Sequence, residues 1–233
     1  MPDEKPVITR AEDSNGNIIE NLGSTTDSTV KLIGTAAKNQ QVQVFDNNIP
    51  KGTPPVNASG GWELLLSQLN MARHTFKALA LYGTGQSSDP YTVDVMRSED
   101  WRSETVGRIF PVNTPSTVSS GLIVTNLGGT ANQTMIFSIA PPTNLLVMWG
   151  ICRFSWSAQN MAKVTIRLSA VHDPRSTVTF LDSNGTIVGV IPLSAFVEFS
   201  APLGSLINSF IIDLTPEGDK GGYVHYIAWL NAS

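Results

Sequence analysis

Two runs of alternating hydrophobicity near the end of the chain constrain the fold more than any other feature. They are residues 206–214 (LINSFIIDL) and 223–230 (YVHYIAWL). Between them lies TPEGDKGG, rich in Pro, Gly and charge, a composition that interrupts regular structure. Successive side chains of a strand point to opposite faces, so a period of two marks an element with one dry side and one wet side. In the first run Leu206, Phe210, Ile212 and Leu214 share one parity, which turns Asp213 away from the core. The pair predicts antiparallel strands near the heart of a β-sandwich.

The same pattern recurs along the chain. Strand-length runs fall at 6–10, 29–35, 41–46, 62–67, 74–82 and 90–95, separated by Gly, Pro, Asn, Asp or Ser. Val30 and Leu32 alternate with Lys31 and Ile33; Phe76, Ala78 and Ala80 share a face with His74 at the end of the row. Beyond residue 105 the runs are 106–110, 121–124, 134–139, 145–156, 163–171, 176–181, 186–191 and 196–199, before the closing pair. Gly150 is expected to split or bulge the long one. Val164, Ile166, Leu168 and Ala170 are assigned to the core face, with Lys163, Thr165, Arg167 and Ser169 outside. Roughly nine or ten strands in this part suggest two stacked sheets of jelly-roll type. No segment has the period of a useful amphipathic helix. The expectation is all-β: two tandem β-sandwich domains, 1–97 and 98–233. The charged stretch 96–102 (MRSEDWR) reads as the linker, with Trp101 either a plug between domains or an exposed contact.

Composition narrows the partners. Only 15% of the 233 residues are charged, the net charge is -4 and there is no basic block, which argues against nucleic acid. Cys152 is the single cysteine; it cannot form an internal disulfide and reads as a small buried hydrophobe. The opening residues MPDEKP are polar, so neither a Sec-type signal nor a membrane-spanning helix is expected. An extracellular or cell-surface location would then need another export route, and a cytoplasmic one stays open.

Residues 6–95 carry DSNGN, TTDSTVKLIGTA, QQVQVFDN, ASGGWELLLSQL and HTFKALALYGTGQSSDPYTVDV. With the G-x-W start at Gly60 to Trp62 and the K-A-x-A strand at Lys77 to Ala80, this stretch resembles a bacterial Ig-like domain. The resemblance implies a spacing and display role, without the disulfide of antibody domains. From Thr177 onward the chain is similar to bacterial jelly-roll domains related to carbohydrate-binding modules, which end G-G-Y…I-D-N-I-x-W. Gly221, Gly222, Tyr223, Ile227 and Trp229 match that ending. His225 and Tyr226 stand where the Asp-Asn pair would fall, which argues against the structural calcium such domains hold and leaves no cofactor expected.

Candidate sites follow from parity. If Phe154, Phe210 and Val224 face the core, then Arg153, Asp213, Tyr223, His225 and Trp229 face outward and join Arg167. Such a face suits a sugar: rings cover the apolar side of a pyranose and charged groups hold its hydroxyls. Both parities of the last strand are apolar, so the opposite reading, with its aromatics in the core, stays open. The two Asp-Ser-Asn-Gly turns, at Asp13 and Asp182, read as plain turns, because neither continues into an EF-type loop. His74, His172 and His225 lie in no zinc-type frame, and no G-x-S-x-G elbow is present. The reading is a non-catalytic bacterial recognition or adhesion protein, in which an Ig-like spacer presents a lectin-like jelly-roll to a cell-surface glycan or host ligand. The alternatives are a self-assembling surface subunit, with the face serving a homo-oligomer, and a secreted toxin or effector whose activity has no visible motif.

Overall fold

The computed structural model describes residues 4–129, 134–140, 143–157 and 159–232. The chain forms two compact units, Met1–Met96 and Arg97–Ser233. Among the described residues the only helix is a single 3-10 turn, Thr215–Lys220.

The first unit holds β1 (Val7–Glu12), β2 (Ile18–Ile19), β3 (Gly23–Thr25), β4 (Val30–Thr35), β5 (Val42–Asp46), β6 (Ile49–Gly52), β7 (Gly61–Leu66), β8 (Arg73–Ala80) and β9 (Tyr91–Val95). One sheet runs β2-β1-β4-β7 and the other β3-β9-β8-β5-β6. Alternation explains the core: Val30 and Leu32 point in from one sheet, Val42, Val44, Phe76 and Ala78 from the other. The Asp13 turn is closed locally, its carboxylate accepting from the backbone N–H of Asn15 and Asn17. Gly16, at φ 80, takes the left-handed position that the turn requires.

The second unit holds β10 (Arg97–Glu99), β11 (Ile109–Phe110), β12 (Ser116–Thr117), β13 (Leu122–Gly128), β14 (Thr134–Ala140), β15 (Thr143–Met148) and β16 (Ile151–Trp156). It continues with β17 (Met161–Ser169), β18 (Thr177–Leu181), β19 (Ile187–Pro192), β20 (Phe196–Ser200), β21 (Ser209–Asp213) and β22 (Gly222–Asn231). One sheet runs β11-β14-β15-β22-β17-β20, with β10 also on β22; the other runs β12-β13-β16-β21-β18-β19. The inner faces meet in one core, where Phe154 stacks on Phe210 at 4.9 Å and Trp156 meets Trp229 across the sandwich at 5.7 Å. Gly150, at φ 95, turns the chain from β15 in one sheet to β16 in the other, so the long run 145–156 is split there. Cys152 is fully buried beside the Thr134 hydroxyl at 3.2 Å, and burial pushes its thiol pKa up to about 12.

Several expectations need correction. The two signature runs are not neighbours: β21 sits between β16 and β18, and β22 sits between β15 and β17 in the facing sheet. The segment between them therefore crosses from one sheet to the other. Leu206 lies outside β21 and is exposed, and Ile207 is buried in its place. The run 106–110 shortens to β11, with Val106 exposed. The stretch read as a linker is ordered structure of the second unit: Arg97–Glu99 pairs with Ile227–Trp229 as β10. Glu99 is buried there because its carboxylate accepts from the backbone N–H of Trp101 and Ser120. Trp101 is not an exposed contact; it belongs to the second unit's core, fully buried at φ 64.

Candidate functional site

The register of β17 against β22 decides which side chains reach the surface. Ser169 pairs with Tyr223 and Leu168 with Val224, but Arg167 then pairs with Tyr226. His225 is thus an extra residue, a β-bulge, and it reverses the parity of everything after it. Before the bulge Val224 faces the core; after it Ile227 and Trp229 do. Trp229, expected on the outer face, is 1% exposed in the core.

The six residues expected to share one face are distributed over three places. Arg167 is exposed, and Tyr223 and His225 are half-buried, on the outer side of the β22 sheet. Arg153 is exposed and Asp213 half-buried on the other sheet, where β16 pairs with β21. Trp229 is internal. Asp213 has local work: its Oδ1 accepts from the Thr215 N–H at 2.8 Å and the Thr215 hydroxyl at 2.6 Å, which fixes the start of the 3-10 turn.

Two residues missing from that set complete the face. Arg167 is flanked in register by Tyr226 on β22 and Phe196 on β20. Directly opposed side chains on neighbouring strands sit about 4.5–5.5 Å apart, so Phe196, Arg167 and Tyr226 form an aromatic–cation–aromatic row across three strands. Phe196 is 52% exposed, while Val197 beside it is buried. Phe196 was legible from alternation, since it shares the parity of the charged Glu198. Tyr226 was not, because no local signal marks the bulge.

The electrostatics of the face are set by Arg167. Burial and the Arg167 charge both disfavour the imidazolium, so the pKa of His225 is lowered and the ring is neutral at neutral pH. Its Nε2 lies 2.7 Å from the Ser169 hydroxyl. Burial raises the phenol pKa of Tyr226, opposed by Arg167 and aided by Glu198. Glu198 also meets the buried Lys163 ammonium at 3.1 Å. A hydroxyl on an imidazole is two members of a hydrolytic triad, but among the described residues no carboxylate is bonded to the other nitrogen of His225, and Ser169 is exposed to water. What the face offers is flat rings, a guanidinium fork and neutral hydrogen-bonding groups. Among the described residues no three His, Cys, Asp or Glu side chains gather as a metal cage. The Asp182 carboxylate, like that of Asp13, is taken up by its own turn, accepting from Asn184 and Thr186 N–H.

No family model matches the chain, and no curated protein does. Among solved structures, fibronectin(III)-like modules of Clostridium thermocellum CbhA align at TM-score 0.28 and 12% identity, over 82% of this chain and 80% of theirs. SGBP-B of the Bacteroides ovatus mixed-linkage glucan utilization locus, in complex with a mixed-linkage heptasaccharide, aligns at 0.30 and 11%, over 94% of this chain and 56% of its own. A carbohydrate-binding module from the β-sandwich superfamily aligns at 0.29 and 11%, over 100% and 94%. At TM-scores this low the fold assignment rests on the strand order and core packing described above.

Proposed function

We propose that this is a non-catalytic recognition protein of the bacterial cell surface or exterior. Residues 1–97 act as an Ig-like spacer, and residues 98–233 act as a jelly-roll head that binds a glycan. The reading is carried by the row Phe196–Arg167–Tyr226 with Tyr223 and His225 beside it. Flat rings match the apolar face of a pyranose, and Arg167 with the neutral imidazole of His225 supplies hydrogen bonds to its hydroxyls. An open sheet face suits a chain of sugars better than a small molecule, which calls for an enclosed pocket.

The test is a glycan array with the full chain, followed by variants. Tyr226→Ala and Arg167→Ala are each expected to weaken the best-bound glycan roughly 10-fold or more, at unchanged melting temperature. Arg153→Ala, on the opposite sheet, is expected to leave binding intact. Equal effects of Arg153→Ala and Arg167→Ala would overturn the assignment.

One observation favours a second reading. Ile109 and Phe137 are exposed on the same outer face, with the half-buried Met135 opposite Ile109 in register. A self-assembling subunit would cover this apolar band with a second copy, in an interface above ~1,000 Å². Light scattering across a concentration series separates the two: a mass that doubles, and that Phe137→Lys returns to one chain, favours assembly.

A further inference from the structure

We infer that the first unit, taken above as a spacer, holds a ligand site of its own: a groove that takes a neutral polyhydroxylated molecule the size of a sugar ring. The groove lies where the β5–β6 hairpin meets β7 and the connection 67–72, and it encloses about 470 Å³. That is within the ~300–1,000 Å³ usual for small-molecule sites. Its polar lining comes from Asp46, Asn47, Lys51, Gln68, Asn70 and Arg73. Ile49 and Leu65, 60% and 63% exposed, line it too and give an apolar rim.

Asp46 is the reason to expect a ligand. It is the last residue of β5 and 4% exposed. Its Oδ2 accepts from His74 Nδ1–H at 2.8 Å, with the Lys51 ammonium at 3.4 Å. Its Oδ1 is buried and has no hydrogen-bond partner. A carboxylate oxygen withdrawn from water and left unbonded is costly, and a hydroxyl donated by a ligand restores the loss. Lys51 makes only a long contact and sits on an edge strand, so it is the group that yields when a ligand hydroxyl reaches the carboxylate.

Charge selects the chemistry of that ligand. His74 also faces the Asn70 carbonyl oxygen, 2.9 Å from Nε2, so both ring nitrogens donate and the ring is an imidazolium. Three cations, His74, Lys51 and Arg73, therefore surround two carboxylates, Asp46 and Asp94, the latter held bidentately by Arg73 at 2.8 and 3.0 Å. The surplus positive charge opposes an amine. An anion would meet the Asp46 carboxylate at the floor. A neutral polyol satisfies both sides: it donates to Asp46 and accepts from Lys51, Asn47 and Gln68. Gln68 is held at φ 57, a left-handed conformation that a Gln seldom adopts, and residues held this way cluster at binding sites.

The site is in the other unit from the glycan-binding face, so the two stand or fall separately. The test is an amide NMR titration of the full chain with glucose, galactose, mannose and N-acetylglucosamine, and with ethanolamine and acetate as charged controls. At least one sugar is expected to shift the amides of Asn47, Lys51 and Asn70. Lys51→Ala and Leu65→Asp should each weaken that sugar roughly 3- to 10-fold, and Tyr226→Ala should leave it unchanged. Shifts with ethanolamine or acetate alone, no shift with any sugar, or shifts that survive both groove variants would each overturn the proposal.

Discussion

His74 carries a charge inside the first sandwich, and the fold is arranged to keep it. Burial works against the imidazolium, but the hydrogen bonds to Asp46 and the Asn70 carbonyl and the Asp46 charge outweigh it, with Lys51 opposing; the net pKa is raised. Burial likewise works against the Asp46 carboxylate, and the His74 bond and the charges of His74 and Lys51 overcome it, so that pKa is lowered. The signs define a window. The raised histidine contributes stability fully present below its unfolded value of 6.5 and lost as pH rises through the folded value. The lowered carboxylate contributes stability present above 3.8 and lost as pH falls through its folded value. Melting temperature measured against pH should therefore decline as pH rises above 6.5. His74→Gln should flatten that flank and cost on the order of 3 kcal/mol at mildly acid pH, by stranding a buried carboxylate. The sequence placed His74 on the core side of its strand, where it stacks on Phe76. It did not reveal Asp46 as partner, because that pairing depends on the register of β5 against β8, a long-range fact with no local mark.

At the scale of elements, alternation was a reliable guide wherever one face was dry and the ladder regular. The long runs 163–171, 29–35 and 145–156 give strands, the last broken at Gly150; in the first, β17 stops at Ser169, Ala170 lies beyond it at φ 60 instead of in the core, and Lys163 and Thr165, assigned outside, are buried at 4% exposure. Reading failed where a strand carried charges, as in β10, or where the count of residues slipped, as in β22. A deletion distinguishes the slip from a true parity. Removing His225 takes out the extra residue and leaves Val224, Ile227 and Trp229 facing inward. The variant should fold with a blue-shifted Trp emission, lose roughly 1–2 kcal/mol, and lose glycan binding because Tyr223 and Tyr226 are re-spaced. Removing Ala228 instead moves Trp229 out of the core to the outer side of the sheet and should cost more than about 3 kcal/mol. Equal stability of the two deletions, measured by urea titration, would rule out the bulge as the source of the reversed parity.

At the scale of the molecule, each unit buries its own apolar core: Leu32, Trp62 and Phe76 in one, Phe154, Phe210 and Trp229 in the other. Scanning calorimetry is expected to resolve two unfolding events. Trp229→Ala should lower one of them by about 3–5 kcal/mol and leave the other in place; a single event displaced as a whole would mean that the units share cooperativity. The all-β class was readable from the sequence, since it follows from short-range patterning. Which aromatics stay wet was not, since that depends on how sheets register across long separations. The lone thiol of Cys152 has a practical consequence. Shut inside the second core with its ionisation suppressed, it offers no thiolate to alkylating reagents or to a neighbouring chain. A cysteine engineered onto the surface would then be the sole reactive handle, so a dye or tether could be placed at one chosen point without first removing the native residue.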